Sequence, residues 1–351
     1  MHRIPYGRNE SFEVFKRKRP VVFFQHGLLA SSADWVTNTP NLSAAFLFAD
    51  AGFDVWMGNV RGNVYSKEHR TYSSSDKAYW QFSWDEMSKY DLDAMINKVL
   101  NVTKQSDLYY IGHSQGTLTM FTKLASDQQF ASKIRKFFAL APIGTVAHIK
   151  GLLYYLAKIF LKLPFIEKAL GSKDFLPNTW LTKLFGRYIC GIYYINPVCD
   201  SVLFQIGGPE NQFNKSRLPV YLSHSPAGTS AQNILHWTQM IKSGKTQAYD
   251  YGSEKENLIH YGQPSAPLYN LGRVNTPVYL FWSDKDWLAD EIDIKKSLIA
   301  RIPMRFLKQN IRLNDFNHFD FIWGMRVADE IYKPIIEMIS NDERRRRTFR
   351  G

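Results

Sequence analysis

The sequence predicts an α/β fold, with a mostly parallel central sheet flanked by helices and a large, mainly helical cap inserted between two strands. Three observations predict it. Apolar runs that resemble buried strands alternate with segments of helical spacing up to about residue 143, and such alternation is typical of a parallel sheet. One of these runs leads directly into a glycine-rich turn and a helix. About 130 residues then separate two successive strands, far more than an ordinary connection needs.

The first part of the sheet is predicted from continuous apolar runs, which are typical of strands buried on both faces. Residues 1–8 resemble the end of an extended segment, and residues 9–19 form a polar, basic turn. The predicted strands occupy residues 20–25, 53–57, 108–111 and 137–142. The predicted helices between them occupy residues 42–51, 84–99 and 117–125.

The run at residues 108–111 is followed at once by Gly112–Gly116, with the sequence G-H-S-Q-G, and helical spacing begins at Thr117. Strand, G-x-S-x-G and helix in this order are typical of the nucleophile elbow of an α/β-hydrolase. Such an elbow holds its serine, here Ser114, on a strained turn beneath which a helix begins, and the flanking glycines prevent collisions. The alternative is a glycine-rich turn without catalytic function.

The strand at residues 20–25 ends in His26-Gly27, where this fold places its oxyanion loop. The backbone N–H groups of Leu28 and Gln115 are therefore the candidate oxyanion donors. Two preorganised donors stabilise a tetrahedral intermediate, and the loss of one typically costs about 3 kcal/mol. We expect His26 to be structural rather than a base.

The alternation breaks after residue 143, and the next clear strand is at residues 278–282. The predicted division is a hydrolase core at 1–143, a cap and lid at 144–273, the rest of the core at 274–341, and a basic tail at 342–351. Residues 151–163 are apolar but interrupted by lysines. They predict an amphipathic helix that either lies at an interface or packs on the core.

The remaining candidates for an acyl-transfer site follow the last strands, in the order Ser…Asp…His that this fold uses. His318 is the only histidine after the last predicted strand, at residues 305–313, and a helix to residue 339 follows it. Asp284 and Asp286 are two residues apart, so their positions in the sequence barely indicate which of them is the acid. We expect Asp290 to cap a helix and Asp320 to lie beside the base. The rival histidines are His113, expected to point away from the nucleophile, and three in the cap: His224, His236 and His260.

Composition limits the class of protein. Hydrophobic residues make up 45% of the 351 residues, which allows a sizeable core, and no long uncharged apolar run is present. The net charge is +12, and Arg344–Arg347 with Arg350 contribute a good part of it. Such a run predicts a solvated, disordered tail, or contact with anionic lipid. No nucleic-acid motif is present.

The two cysteines, Cys190 and Cys199, are either unrelated thiols or one small disulfide loop. A disulfide would indicate an oxidising compartment. Four N-x-[ST] sequons fit a secreted setting: Asn9, Asn41, Asn101 and Asn214. Against this, Met1 opens directly into polar sequence, without a signal-peptide pattern.

Five stretches resemble the acid lipases, the group of lysosomal acid lipase and gastric lipase with their many insect relatives. They are residues 25–31 (QHGLLAS), 54–63, 112–116 (GHSQG), 286–290 (DWLAD) and 317–324 (NHFDFIWG). The resemblance covers essentially the whole chain. Members of the family begin with a signal peptide and a β-hairpin that ends near R-I-P-Y-G. The resemblance therefore implies that the first strand and part of the second are missing before Met1.

The resemblance also implies a site and a function. It implies Ser114 as nucleophile, His318 as base and Asp286 as acid, with the amides of Leu28 and Gln115 as oxyanion hole. It further implies no cofactor and no metal, a mobile lid, a Cys190–Cys199 disulfide in the cap, and a secreted or lysosomal location. The expected substrates are neutral lipids at a lipid–water interface, namely triacylglycerols and in some members steryl esters, with membrane or lipid-droplet contact.

The predicted function is therefore a lipase that works through an acyl-enzyme on Ser114. The alternative is a catalytically silent lipid-binding protein on the same fold, or a truncated inactive isoform. An esterase for small soluble esters is disfavoured by the large aromatic cap.

Overall fold

The computed structural model describes residues 1–10, 18–162, 174–176, 203–209 and 212–348. Cys190 and Cys199 lie outside these ranges, and their pairing stays a prediction. Among the helices in the described ranges, none is both long and apolar enough to cross a lipid bilayer.

A seven-stranded sheet forms the centre of the molecule, and a two-stranded ribbon lies apart from it. The strands are β1 (His2–Ile4), β2 (Val21–Gln25), β3 (Asp54–Met57), β4 (Leu108–His113), β5 (Ile134–Leu140), β6 (Asp174–Phe175), β7 (Thr229–Ser230), β8 (Val278–Ser283) and β9 (Leu307–Leu313). The order in the large sheet is β1-β3-β2-β4-β5-β8-β9. Within the described ranges, only β1 runs antiparallel in this sheet, against β3, while every other pair is parallel. The predicted mostly parallel sheet is confirmed.

Helices flank this sheet, and short helical turns connect several of its elements. The helices are α1 (Ala44–Asp50), α2 (Leu92–Thr103), α3 (Gln115–Ser126), α4 (Gly151–Lys162), α5 (Leu218–His224), α6 (Ala231–Ser243), α7 (Glu254–Tyr261), α8 (Asp320–Trp323) and α9 (Lys333–Thr348). Helical turns at Trp84–Glu86 and Met87–Asp91 run directly into α2. All residues of β2 and β4 are buried, as expected for central strands covered on both faces.

Residues 144–273, which we call the β5–β8 segment, connect two neighbouring strands and contain α4 to α7 and the β6–β7 ribbon. Part of this segment is continuous with the core of the sheet, because Trp237 and Met240 of α6 belong to the main apolar cluster. A second, small cluster joins the segment to α8. Its buried members are Leu203, Phe213, Leu218, Tyr221, Ile322 and Trp323.

The last helix differs from the prediction. It does not end near residue 339 in a disordered basic tail, but continues as α9 to Thr348. Ion pairs with residues at the amino-terminal ends of β4 and β5 explain the difference. Arg346 forms a bidentate salt bridge with Asp107, with both N–O distances 2.8 Å. Asp342 accepts a hydrogen bond from Nε of Arg135 at 2.5 Å. Bidentate pairs of this kind fix a helix end more firmly than isolated surface charges do.

A largely buried carboxyl group joins the core to the β5–β8 segment. Asp85 accepts hydrogen bonds from the backbone N–H of Tyr249 and from the hydroxyl of Tyr269, each at 2.7 Å. Burial raises the pKa of Asp85 to about 6. The neighbouring His236 carries no compensating charge, because burial lowers its pKa to about 3.

The raised pKa of Asp85 predicts a pH-dependent stability. Because protonation of Asp85 favours the folded state, its contribution is complete near pH 4 and is lost as the pH rises through about 6. We expect the contribution of Asp85 to the free energy of unfolding to fall by roughly 3 kcal/mol over that interval. Other buried groups add their own pH dependence, since burial raises the pKa of Asp34 to about 7 and lowers that of His26 to about 4. Denaturant titrations therefore compare proteins: the stability of the unsubstituted protein relative to Asp85→Asn should fall by roughly 3 kcal/mol over the interval. The exposed control Asp329→Asn should keep the pH dependence of the unsubstituted protein, and the same pH dependence in all three proteins would contradict the prediction.

Candidate active site

Ser114 lies on a strained turn between β4 and α3. Its backbone has φ +52° and ψ −122°, and the residue is 4% exposed. A residue with a side chain in such a conformation costs about 1–3 kcal/mol and is typically maintained only where the surroundings enforce it. The Ser114 N–H donates to Leu140 O of β5 at 3.1 Å, which holds the turn against the neighbouring strand.

The two glycines of the G-x-S-x-G sequence are required by close backbone contacts. A Cβ atom on Gly116 would lie 2.5 Å from Gln25 O and 2.8 Å from His26 O, at the end of β2. A Cβ atom on Gly112 would lie 2.8 Å from the carbonyl oxygen of Gly116 itself. All three distances are below those that real Cβ atoms show. The strand and helix therefore cross at Ser114 only because these two positions lack side chains.

His318 and Asp286 form a buried hydrogen-bonded pair. His318 Nδ1 lies 3.0 and 2.9 Å from the two carboxylate oxygens of Asp286, and the residues are 3% and 1% exposed. Oδ1 of Asp286 also accepts the N–H groups of Leu288 and Ala289, each at 2.8 Å. A carboxylate only accepts hydrogen bonds, so His318 carries its proton on Nδ1 and Nε2 is left as a base.

The other candidate acids have different partners. Asp284 pairs with Arg312 at 3.0 Å, and Asp290 accepts the N–H of Ile292 at 2.8 Å, which caps a short helical turn. Asp320 accepts the backbone N–H of Asn317 at 2.8 Å, within the loop that carries His318. Of these carboxyl groups, Asp286 is the one that contacts His318.

The rival histidines are held by backbone groups or lie elsewhere. His26 Nε2 accepts the N–H of Val60 at 3.3 Å, its Nδ1 lies 2.8 Å from Gly27 O, and burial lowers its pKa to about 4. The ring of His236 stacks on Trp84, and His260 stacks on Tyr251 with centroids 3.5 Å apart. His26 is thus structural, as expected.

His113 contacts the proposed base, a contact that was not predicted. Its ring centroid lies 4.8 Å from that of His318, and its Nε2 lies 3.0 Å from the carbonyl oxygen of His318.

The candidate oxyanion donors belong to the elbow itself and to the loop after β2, which approaches it. Gln115 is the first residue of α3, so its N–H has no acceptor within the helix. Leu28 follows Gly27, whose backbone is so close to the elbow that a Cβ on Gly27 would lie 3.0 Å from Ser114 Cβ. The next residue, Leu29, has φ +59°, and its carbonyl accepts the N–H of Ala227 from the β5–β8 segment at 2.6 Å.

The side chain of Gln115 joins the elbow to α6. Its Oε1 accepts hydrogen bonds from Trp237 Nε1 at 2.7 Å and from Asn233 Nδ2 at 2.9 Å. Neither partner was predictable, because a contact between an elbow and a distant amphipathic helix leaves no local pattern in the sequence.

One backbone carbonyl of the β5–β8 segment accepts hydrogen bonds from both the loop that carries His318 and the loop that carries Asp286. Gly207 O accepts the N–H of His318 and the N–H of Trp287, each at 3.1 Å. Gly208 follows with φ +111°, and a Cβ there would lie 2.2 Å from Lys285 O. The adjacent glycines in an aromatic stretch were the only local sign of this close approach.

The candidate residues share one edge of the sheet because each follows the carboxyl end of a parallel strand. Leu28 follows β2, Ser114 follows β4, Asp286 follows β8, and His318 follows β9. In parallel sheets, the carboxyl ends of the strands lie along one edge, where ligands bind.

Of the sequons, Asn9, Asn41 and Asn101 are exposed and Asn214 is partly exposed.

Comparison with known proteins identifies the family of this chain. Residues 20–325 match the family described as the alpha/beta hydrolase fold. Lipase lipl-1 of Caenorhabditis elegans is 53% identical over 347 residues, which are 97% of this chain and 85% of the relative. The gastric triacylglycerol lipase of Bos taurus is 43% identical over 98% of this chain and 85% of its own length.

The chain belongs to the acid lipase family of α/β-hydrolases. The lysosomal acid lipase/cholesteryl ester hydrolase of Rattus norvegicus, also 43% identical, matches 97% of the chain and 84% of its own length. Membership of this family makes the chain a carboxylic ester hydrolase of the lipase type, on the fold that the sequence predicts.

Proposed function

We propose that this acid lipase family member hydrolyses the esters of neutral lipids through an acyl-enzyme on Ser114. The observation that carries the proposal is the placement of a strained, buried serine at the same sheet edge as the buried His318–Asp286 pair. A strained elbow at this edge is the arrangement that acyl transfer by serine requires.

In the proposed mechanism, His318 Nε2 removes the proton of Ser114 Oγ as the oxygen attacks the ester carbonyl. Asp286 keeps the imidazole oriented and stabilises the imidazolium that forms. The N–H groups of Leu28 and Gln115 donate to the tetrahedral oxyanion, assisted by the N-terminus of α3. The imidazolium then protonates the departing alcohol. In the second half of the reaction, His318 takes a proton from a water molecule, which attacks the acyl carbonyl. The imidazolium then returns the proton to Ser114 Oγ, and the fatty acid is released.

The proposed substrates are triacylglycerols or steryl esters. Support comes from two relatives of equal identity, one named for triacylglycerol and one for cholesteryl ester. The test is fatty-acid release by the purified protein from dispersed triacylglycerol and cholesteryl ester between pH 4 and pH 7.5. We expect release from at least one of them, with a rate that rises when the substrate exceeds its solubility limit. Binding of a fatty-acyl ligand by folded protein without any release would contradict the proposal.

We further propose that α4 contacts the lipid surface. Its side chains Tyr155, Leu156 and Ile159 are 63%, 38% and 52% exposed, whereas Ala157 is buried. Lys158 lies 4.3 Å from the ring of Tyr154, so a cation accompanies the apolar face. An amphipathic helix with exposed apolar side chains and lysine is typical of adsorption to an interface.

This proposal predicts that Ile159→Asp weakens binding to neutral-lipid emulsions by about tenfold, since burial of a side chain of this size contributes ~1.5 kcal/mol or more. Hydrolysis of a soluble short-chain ester should be unchanged. Emulsion binding is measured by sedimentation of the protein with the lipid. Met304→Asp is the control, since Met304 is 92% exposed and precedes β9, at the opposite edge of the sheet. Equal loss of binding in both variants would argue against a specific role for α4.

A secreted or lysosomal location is proposed with these substrates. The rat relative is named as lysosomal, and three sequon asparagines are exposed. Glycans on Asn9, Asn41, Asn101 or Asn214 and a Cys190–Cys199 disulfide belong to the same proposal. Mass spectrometry of the protein from its natural source, with and without glycosidase and reductant, tests both.

A further inference from the structure

The side chain that precedes the proposed nucleophile contacts the proposed base. His113 is 4% exposed, and its Nε2 lies 3.0 Å from the backbone carbonyl oxygen of His318. A carbonyl oxygen can only accept a hydrogen bond, so the proton of the neutral ring is on Nε2. In the described part of the chain, Nδ1 of His113 has no hydrogen-bond partner. The polar contact of this side chain is therefore the one to His318.

The backbone of His318 depends on such contacts for its position. His318 lies in the connection between β9 and α8, outside any strand or helix. Its N–H donates to Gly207 O at 3.1 Å, and its carbonyl accepts from His113. The residue is thus held on one side by the β5–β8 segment and on the other by the elbow itself. His113 and Ser114 are adjacent, so this bond links the base to the nucleophile through one peptide unit.

We propose that His113 is a positioning residue for ester hydrolysis, whose Nε2–H fixes the main chain of His318 so that the imidazole can reach both Ser114 and Asp286. This inference rests on the proposed function. Proton transfer needs the heavy atoms within hydrogen-bond distance, so a small displacement of the His318 loop would lower the rate of the chemical step.

A histidine can supply this bond without adding charge beside the base. Burial holds the pKa of His113 well below its ordinary range, and the nearby rings of His318 and His26 lower it further. This lowered pKa favours the neutral ring, which donates from Nε2. A lysine or arginine here would place a fixed positive charge next to the imidazolium that forms on His318 during catalysis.

The test compares two substitutions at His113 with the same two at His236. Leucine removes the donor, whereas the amide of glutamine can replace Nε2–H. His236 is the matched control, because it is also buried, its Nε2 lies 2.9 Å from the backbone carbonyl of Gln247, and its Nδ1 contacts Ser83 rather than His318. On a soluble short-chain ester, His113→Leu should lower kcat by about 30-fold with KM within about twofold, and His113→Gln should recover kcat to within about fivefold.

The pH profile separates positioning from general destabilisation. His113→Leu should shift the acidic limb of the kcat/KM profile, which reports the base, whereas the His236 variants should lower stability and leave that limb in place. An unshifted limb with native kcat in His113→Leu would overturn the proposal. So would a His113→Gln variant as slow as His113→Leu, because packing rather than the donor would then explain the loss.

A measurement on the unsubstituted protein decides the matter if His113→Leu does not fold. Nitrogen-15 NMR of histidine-labelled protein should show His113 as the neutral Nε2–H tautomer from pH 5 to pH 8. The Nδ1–H tautomer, or a protonated ring at pH 5, would overturn the proposal. Failure of the proposed function looks different: Ser114→Ala would then retain activity, whatever the tautomer of His113.

Discussion

Ser114→Ala should lower kcat on a soluble ester by about 10⁴- to 10⁶-fold, the range for loss of a serine nucleophile. The residual rate reflects substrate binding and the oxyanion donors alone. The fold should be unaffected, because the backbone strain at φ +52° is set by the crossing of β4 and α3 rather than by the hydroxyl. Initial rates and a thermal melt of the same preparation make the comparison.

Ser126→Ala provides the control for this substitution. Ser126 lies at the other end of α3, where its hydroxyl donates to Thr122 O at 2.8 Å. Its replacement should leave kcat within about twofold, since it removes only a local hydrogen bond. Retained activity in Ser114→Ala, measured in protein free of contaminating esterases, would refute the assignment of the nucleophile.

Asp286→Asn should have the second-largest effect, a fall in kcat of about 10⁴-fold. An amide can donate where the carboxylate only accepts, so the ring of His318 would lose the partner that keeps the proton on Nδ1. The backbone bonds from Leu288 and Ala289 can persist on the amide oxygen, which should limit the loss of stability.

Asp284→Asn is the matched comparison, two residues away in the same loop. Asp284 is a partly exposed partner of Arg312, and such pairs contribute about 0–1 kcal/mol. Its replacement should leave kcat within about threefold. If Asp284→Asn were the damaging variant and Asp286→Asn nearly native, the acid would have to be reassigned.

This pair of residues also illustrates what the sequence can and cannot predict. The sequence predicts that an acid follows the strand now seen as β8, because the chain order of an α/β-hydrolase requires it. It cannot choose between Asp284 and Asp286 by position, since both lie in one short loop. The choice depends on which side chain turns toward His318 and which toward Arg312, and those partners lie about 30 residues further along the chain.

The elbow was predictable in more detail, because its constraints are local. The strand, the two glycines and the start of α3 follow one another within a few residues, and the structure gives each glycine the close backbone contact that the pattern predicts. The contacts of Gly207 and Trp237 were not predictable, although they hold His318 and Gln115. They arise where the β5–β8 segment packs against the elbow, and contacts between residues so far apart in the sequence leave no local pattern.

The C-terminal difference also arises from contacts between residues far apart in the sequence. Consecutive arginines are usually solvated, and nothing within residues 342–351 indicates otherwise. The partners that order Arg346 and Asp342 are Asp107, at the start of β4, and Arg135, in β5. Only the folded sheet brings those residues beneath α9.

The most direct test of the account is covalent labelling of the nucleophile. A fluorophosphonate ester should add one phosphonyl group to the folded protein, on the peptide that contains Ser114, with loss of esterase activity in proportion to the label. Asp286→Asn should be labelled far more slowly, because the same base is needed for phosphonylation. A label on a different residue, or full esterase activity after complete labelling of Ser114, would contradict the account.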